Sequence, residues 1–191
     1  QTPVQVQGLT GVKGVATGEG FSLAVKSDGT VWAWGRNNAG QLGNGTQTES
    51  LVPVKVSGLT NIVSVAAGSG IPFSLALRND GTIWAWGSNI YGQLGDGSDT
   101  AQRLTPVQVQ RLAGVVGISA GGTFSLAVTS DGKVWAWGAN HSGALGTGDN
   151  LPQNSPTQVS GLSNATKIAA GFSFNTALKK DGTVWAGGNN E

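Results

Sequence analysis

The sequence offers few of the residues with which enzymes perform chemistry. His141 is the single histidine, so a serine-type triad would have to use it as the general base. It follows one of four repeated tryptophan segments, and the other copies hold Asn38, Ile90 and Asn190 at its position. Such variation is typical of a loop residue. With one histidine and no cysteine, the usual zinc ligand sets are missing. We expect no catalytic histidine and no metal site.

The carboxylates are spaced for turns rather than for acid–base catalysis. A catalytic pair needs a cleft and two different environments, whereas the aspartates outside turns are scattered. Residues 95–99, Gly-Asp-Gly-Ser-Asp, lack the alternating ligands and final glutamate of a calcium loop. We also find no Walker loop and no dinucleotide fingerprint. The sequence therefore predicts that the chain is not an enzyme and binds no cofactor. Four aspartates directly precede a turn glycine: Asp28, Asp80, Asp131 and Asp181.

Charge and composition exclude further classes of partner. The net charge is +1, and 11% of residues are charged, without a basic stripe. We therefore expect neither nucleic acid nor an anionic membrane surface as a partner, and no apolar run is long enough for membrane insertion. The absence of methionine and the start at Gln1 suit a processed chain or a segment of a longer protein. Three Asn-x-Ser/Thr sites, at positions 44, 140 and 164, favour an extracellular or cell-surface location, as part of a secreted protein.

The aspartate turns belong to a sequence motif that occurs four times, about every 51 residues: Asp-Gly-x-Val/Ile-Trp-Ala-Trp/Gly-Gly. A period in this range indicates a repeat architecture. We predict one repeat domain over residues 1–191, with units at about 1–50, 51–103, 104–153 and 154–191. The repeated aromatic and glycine residues are interpreted as structural: Trp32, Trp34, Trp84, Trp86, Trp135, Trp137, Trp185, Gly29, Gly81, Gly132 and Gly182.

Each unit reads as four short strands. A Pro-Val-Gln-Val-like segment opens the unit (3–6, 53–56, 106–109, 156–159), a run ending in glycine follows, and then a Phe-Ser-Leu-Ala-Val-like strand. An Asp-Gly hairpin turn leads into the tryptophan strand. Side chains alternate between faces, so Phe21 and Leu23 share one face of their strand, and Trp32 and Trp34 likewise share one face of theirs, opposite Ala33. We expect a bulky face and a small-residue face on every sheet, interlocking with its neighbours.

A sheet that is apolar on both faces must be covered by other sheets. The sequence therefore predicts an all-β fold, a β-propeller of four-stranded antiparallel blades, with a solenoid as the alternative. Four units predict a partial ring or one that an oligomer completes. An open end would expose a blade face, which usually means an interface.

The repeat resembles that of the regulator of chromosome condensation (RCC) family. The resemblance is carried by Val-Ala-Ala-Gly at 65–68, Phe-Ser-Leu-Ala-Leu at 73–77, the turn and tryptophan strand at 80–89, and Gly-Gln-Leu-Gly at 92–95. It implies a propeller, typically with seven blades, so four units are fewer than the usual ring and two copies could form a ring of eight. The fourth unit departs from the pattern: it has Gly187 for the second tryptophan and lacks the Gly-Gln-Leu-Gly segment.

Chain direction places the loops after the tryptophan strands at one end and the Asp-Gly turns at the other. The loops vary between units, as binding loops on a rigid scaffold do. We therefore predict a protein–protein interaction or self-assembly module whose partner is a protein or another copy. A lectin-like propeller with a glycan partner and, by resemblance, a nucleotide exchange factor for a small GTPase remain alternatives. The predicted partner-binding residues are Arg36, Asn37, Asn38, Ile71, Asn89, Ile90, Tyr91, Asn140 and His141.

Overall fold

The computed structural model describes residues 2–189, and all of their regular structure is β-strand. Fifteen strands form four antiparallel sheets in chain order. No helix in the described part of the chain is long and apolar enough to cross a membrane. The first sheet contains β1 (Val12–Gly18), β2 (Phe21–Lys26), β3 (Val31–Gly35) and β4 (Ser50–Lys55); the second contains β5 (Ile62–Ala67), β6 (Phe73–Arg78), β7 (Ile83–Ser88) and β8 (Gln102–Gln108). The third contains β9 (Val115–Ala120), β10 (Phe124–Thr129), β11 (Val134–Gly138) and β12 (Gln153–Gln158); the fourth contains β13 (Ala165–Ala170), β14 (Phe174–Lys179) and β15 (Val184–Gly188).

The Asp-Gly turns connect the second and third strands of each sheet, as the sequence predicts. In the first turn, Asp28 Oδ1 accepts hydrogen bonds from Thr30 Oγ1 at 2.6 Å and Thr30 N at 2.9 Å. These two bonds lower the pKa of Asp28. Gly29 has φ +78°, a conformation that glycine adopts without a Cβ penalty. In the third turn, hydrogen bonds from Lys133 and Thr129 lower the pKa of Asp131 to about 2.

The sheets are offset by one strand from the units of the sequence. Residues 53–55 lie in β4, which pairs with the tryptophan strand β3 of the preceding unit (Ala33 opposite Val54). The fourth strand of a sheet thus comes from the segment that we expected to open the next unit's sheet, and that expectation is wrong. Residues 3–6 form no strand and are exposed. The fourth sheet has three described strands.

The expected division into a bulky and a small-residue face is also wrong. Leu23 lies opposite Ala33, and Ala24 lies opposite Trp32. Directly paired residues share a face, so each face combines one bulky strand with one small-residue strand. We call the side with Phe21, Leu23, Val31 and their counterparts the Phe face, and the side with Trp32, Trp34 and their counterparts the Trp face.

The sheets stack with the Phe face of one against the Trp face of the next. Trp86 of the second sheet is fully buried in one hydrophobic cluster with Phe21 and Leu23 of the first. Trp137 of the third sheet is buried in the same way against Phe73 and its neighbours in the second. At these two junctions, the bulky side chains of the facing sheets are buried together in one hydrophobic cluster each.

The junction between the third and fourth sheets is built differently. At the earlier junctions, the tryptophan indole donates to a loop carbonyl, as Trp86 Nε1 does to Gln41 O at 2.8 Å. In the fourth sheet, Gly187 replaces the tryptophan, and Asn175 stands where the other sheets have serine. Asn175 Nδ2 donates to Ala144 O, the carbonyl equivalent to that of Gln41. An opening of about 190 Å³ remains beside Gly187, lined by residues that include Leu162.

Candidate interaction surface at the loop end

The first-to-second strand turns and the loops after the tryptophan strands lie at one end of the stacked sheets, which we call the loop end. We call the turns between the first and second strands of each sheet the inner turns. The inner turns of neighbouring sheets are hydrogen-bonded to each other: Ser69 N donates to Gly121 O at 3.2 Å, and Gly122 N donates to Phe172 O at 3.1 Å. The loops join this end because their first residue bonds to the turn of its own sheet, as Arg36 N does to Gly20 O at 2.8 Å. The Asp-Gly turns lie at the opposite end.

The recurring asparagines hold these loops in shape from inside. Asn37 Oδ1 accepts from Leu42 N at 2.9 Å, and its Nδ2 donates to Thr46 O at 2.9 Å and Thr48 O at 3.0 Å. Asn89 and Asn140 make the equivalent bonds in their loops. All three side chains are buried. The three predicted partner-binding asparagines therefore position the loop surface from beneath, and the amides that a lectin-like site would present are engaged within the loops.

Glutamines that the sequence analysis left out of the site connect the loops to the core. Gln41 is fully buried, and its Oε1 accepts a hydrogen bond from Ala39 N at 2.9 Å. Its backbone carbonyl accepts from Ser74 Oγ at 3.0 Å as well as from Trp86. Gln93 makes the same contacts with the next sheet. The signal in the sequence was the recurrence of Gly-Gln-Leu-Gly at 40–43 and 92–95.

A groove at the loop end runs between the loop at 89–101 and residues 152–154, with a volume of about 630 Å³. Ile90 lines it with 55% of its side chain exposed, beside half-buried Tyr91 and exposed Pro152. The ring of Tyr91 meets the ring of His141 edge-on, with centroids 5.5 Å apart. The structure thus brings together three of the predicted residues: Ile90 and Tyr91 line this groove among polar side chains such as Asp99, and His141 contacts Tyr91 beside it. We call this site the Tyr91 groove.

An ion pair braces the loop that forms this groove. Arg103 Nη2 lies 2.7 Å from Asp96 Oδ2. Burial raises the pKa of Asp96, but hydrogen bonds from Ser98 and Arg103 outweigh it, and the pKa lies below its ordinary value. Asp96 is therefore a charged structural anchor at neutral pH. Asp99, on the groove wall, is exposed and supplies negative charge at the rim.

The other predicted residues lie apart from the Tyr91 groove. Arg36 and Asn38 are exposed and line a second depression, of about 400 Å³, together with Glu49. Ile71 is half-buried in an inner turn, where its N–H donates to Gly122 O at 2.8 Å. Sequence reasoning missed Phe172, whose side chain is 64% exposed in the neighbouring inner turn. Its signal was its place as the one phenylalanine outside the strand position of the repeat.

Within residues 2–189, we find no cluster of three or more histidine, cysteine, aspartate or glutamate side chains placed to hold a metal ion. The described side chains of the Tyr91 groove offer apolar contact at Ile90 and Tyr91 and hydrogen bonding at Asp99 and Asn154.

Comparison with known proteins places this architecture in a family. The chain is 36% identical over 157 residues to the probable E3 ubiquitin-protein ligase HERC6 of Homo sapiens, which is 80% of this chain and 15% of that protein. It is 32% identical over 152 residues to the ultraviolet-B receptor UVR8 of Arabidopsis thaliana, which is 78% of this chain and 34% of the receptor. This chain therefore spans about a third or less of either relative.

Solved structures agree with the fold. Human WBSCR16 superposes with a TM-score of 0.86 at 27% identity, covering 98% of this chain and 50% of that one. Yeast RCC1 (Prp20), in its complex with Kap60, gives a TM-score of 0.81 at 26% identity over 92% of this chain and 43% of that one. The prediction of an all-β propeller architecture is confirmed. The family model of the RCC1-like domain matches residues 1–191, and the chain belongs to the RCC1-like domain family.

Proposed function

We propose that this chain is a non-catalytic propeller module that binds a protein partner at its loop end, with the Tyr91 groove at the centre of the contact. The observation that carries the proposal is the groove itself, in which Ile90 and Tyr91 lie among polar side chains on loops that buried asparagines and glutamines fix in place. The family supports an interaction role in general terms, since yeast RCC1 has been solved bound to the protein Kap60.

The composition of the groove suits a protein segment. Binding energy in interfaces concentrates at aromatic anchors that are desolvated on contact and surrounded by a polar rim. Tyr91 provides such an anchor next to exposed Ile90, and Asp99 provides an acidic rim. We propose that the partner inserts an apolar side chain beside Tyr91 and places a basic residue near Asp99.

We also propose that this binding takes place outside the cell or at its surface. Of the acceptor sites for glycosylation, Asn140 is buried, whereas Asn164 is exposed in the loop before β13. Secreted expression of the chain in eukaryotic cells should therefore yield glycan at Asn164 and none at Asn140, measured by peptide mass spectrometry. A secreted chain with unmodified Asn164 would remove this support.

The interaction is tested with the double variant Ile90→Ser/Tyr91→Ala. Val116→Ser is the matched control, because Val116 is an exposed apolar residue on β9, outside the loop end. Proteins retained by the immobilised chain are identified by mass spectrometry, and their affinities are then measured by calorimetry with purified components. We expect the double variant to weaken binding about thirtyfold or more, as loss of about 2 kcal/mol at a hot spot requires. Equal affinities of the double variant and the parent would refute the groove as the binding site.

A further inference from the structure

The third sheet carries a depression of about 320 Å³ at the end opposite the loops. It lies between the turn that leads into β9 and the Asp-Gly turn that joins β10 to β11, and the half-buried ring of Trp135 forms part of its wall. The two turns are fixed to each other by a hydrogen bond from Ser130 N to Gly114 O at 2.9 Å. We call this depression the Arg111 site.

The Arg111 site lies inside the stack of sheets. Val115 N, directly after the first turn, donates to Gly81 O of the second sheet at 3.2 Å. On the other side, Ala165 N of the fourth sheet donates to Gly132 O of the Asp-Gly turn at 3.0 Å. The turns that form the site are therefore held by a neighbouring sheet on each side.

Arg111 occupies a position that is glycine in the other units. Gly8, Gly58 and Gly161 have φ angles of +81°, +70° and +68°, and Arg111 keeps this conformation with φ +57°. A Cβ added to any of the three glycines would meet no atom within 4 Å, so the backbone conformation, and not a lack of space, favours glycine here. Arginine in the left-handed region is strained, and strained residues cluster at functional sites.

The site is open because the third sheet lacks a cation that the other sheets place over the equivalent tryptophan ring. Thr129 stands at the position of that cation, and its hydroxyl donates to Asp131 Oδ1 at 2.6 Å. The short side chain leaves the space beside Trp135 unfilled. In the other sheets, the charged group lies between 4.7 and 5.9 Å from the ring centroid: Lys26 over Trp32, Arg78 over Trp84 and Lys179 over Trp185.

The charges of the site leave one cation without a counterion. Lys133 stands where the other Asp-Gly turns have threonine, and its Nζ lies 2.9 Å from Asp131 Oδ2. Asp131 also accepts the bond from Thr129, so its charge is engaged within the turn. Arg111 is exposed and forms no ion pair within residues 2–189. Two cationic side chains and one carboxylate therefore line the site, and their field attracts an anion.

We propose that the Arg111 site binds a carboxylate of an acidic segment on a protein partner. The guanidinium of Arg111 donates two parallel hydrogen bonds to the carboxylate, and an apolar neighbour of the acidic residue packs against the ring of Trp135. A single free guanidinium on a surface without a basic stripe suits one carboxylate and not a nucleic-acid backbone. Ala113 and Ser130 at the rim are exposed, which suits a side chain in a protein interface more than an enclosed small molecule.

This site and the Tyr91 groove lie at opposite ends of the sheets. They share no residue, so binding at the Arg111 site can fail while the proposed function holds, and the reverse.

The first test is a titration of the isotope-labelled chain with the synthetic peptide acetyl-Gly-Glu-Leu-Glu-Gly-amide, followed by the NMR signals of the Arg111 guanidinium and the Trp135 indole. We expect saturable shifts that weaken with added salt. An analogue with glutamine for glutamate should bind about tenfold or more weakly, because it lacks the charge. Equal affinities of the two peptides would overturn the proposal, as would equal shifts caused by an analogue with lysine. Inorganic phosphate that binds more tightly than the peptide would assign the site to a phosphoryl group and would overturn the carboxylate.

The second test locates the binding with charge-matched variants. Arg111→Gln should weaken peptide binding about tenfold or more. Lys13→Gln removes the same charge from an exposed position on β1 of the first sheet and should leave the affinity unchanged.

Arg111→Gly restores the residue of the other units and separates binding from folding. It should weaken peptide binding as much as Arg111→Gln does, while the release of backbone strain should raise Tm by about 2–4 °C. Unchanged affinity in both Arg111 variants would refute the site. A lower Tm for Arg111→Gly would show that contacts within the chain hold the arginine in this conformation, and would overturn its assignment to a partner.

Discussion

Removing one tryptophan ring from the junction between two sheets measures how much the packing between sheets contributes to the free energy of unfolding. Trp86 is fully buried between the first and second sheets, and its indole donates to Gln41 O at 2.8 Å. Trp34 occupies the same repeat position in the first sheet but is only half-buried on the open Trp face. The variants Trp86→Ala and Trp34→Ala therefore make the same chemical change at a covered and an uncovered position.

We expect Trp86→Ala to lower the free energy of unfolding by about 3–5 kcal/mol, since it leaves a ring-sized cavity and removes one donor from a buried carbonyl. In a chain of this length, that loss corresponds to a decrease in Tm of roughly 6–20 °C. Trp34→Ala leaves no enclosed cavity, and we expect a loss of about 1 kcal/mol. Trp86→Phe keeps most of the apolar contact and should cost about 1–2 kcal/mol.

The measurement is urea unfolding followed by far-ultraviolet circular dichroism, which does not depend on the tryptophan that is removed. Equal losses for Trp86→Ala and Trp34→Ala would refute the reasoning, because sheets stabilised by their own strand pairing would not distinguish a covered from an open face.

Four other substitutions test the turns and loops. Gly29→Ala and Gly182→Ala both place a side chain on a residue with positive φ. Only the Cβ at position 29 would meet a neighbouring segment, 2.8 Å from Asn61 N. Calorimetry should therefore show that Gly29→Ala lowers the free energy of unfolding by about 1 kcal/mol or more beyond the loss caused by Gly182→Ala. The folded-state pKa of Asp131 is lowered from 3.8 to about 2, so its contribution to stability is present above pH 3.8 and is lost as the pH falls towards 2. Acid titration of Asp131→Asn, followed by circular dichroism, should show a smaller loss of stability in that window than the parent does. Asn89→Ala leaves buried loop groups without partners and should destabilise the chain by about 2–4 kcal/mol in urea unfolding; a variant as stable as the parent would contradict the role assigned to the loop asparagines.

The architecture was predictable because the repeat made each local signal appear several times. The Asp-Gly turns and the alternation around them specified the hairpin of β2 and β3 without any knowledge of neighbouring sheets. The strand assignment failed where pairing is not local. Nothing within residues 53–56 indicates whether they pair with the tryptophan strand before them or with the strands after them, and the structure shows the former. The faces were misjudged for a related reason, because alternation fixes side-chain direction within one strand but leaves the register between strands open.

The candidate site was predictable as a location more than as a set of side chains. Chain direction alone placed the variable loops at one end, and Ile90, Tyr91 and His141 do meet there. The sequence could not separate the exposed residues from the buried asparagines beside them, because a polar residue in a loop has the same pattern whether it faces solvent or bonds to the loop's own backbone. Asn37 is distinguished from Asn38 only by the turn geometry that aims its amide at Thr46 and Thr48.

Altered residues at the junction between the third and fourth sheets show that its polar contact is retained although its sequence changes. Read from the sequence, Gly187, Asn175 and Ala144 are three separate departures from the repeat. In the structure, all three lie at one hydrogen bond. The backbone carbonyl of Ala144 still receives this bond because Asn175 Nδ2 donates to it in place of the missing indole. A buried carbonyl without a donor costs about 1–3 kcal/mol, so the polar contact is kept while the ring is lost and an opening of about 190 Å³ remains.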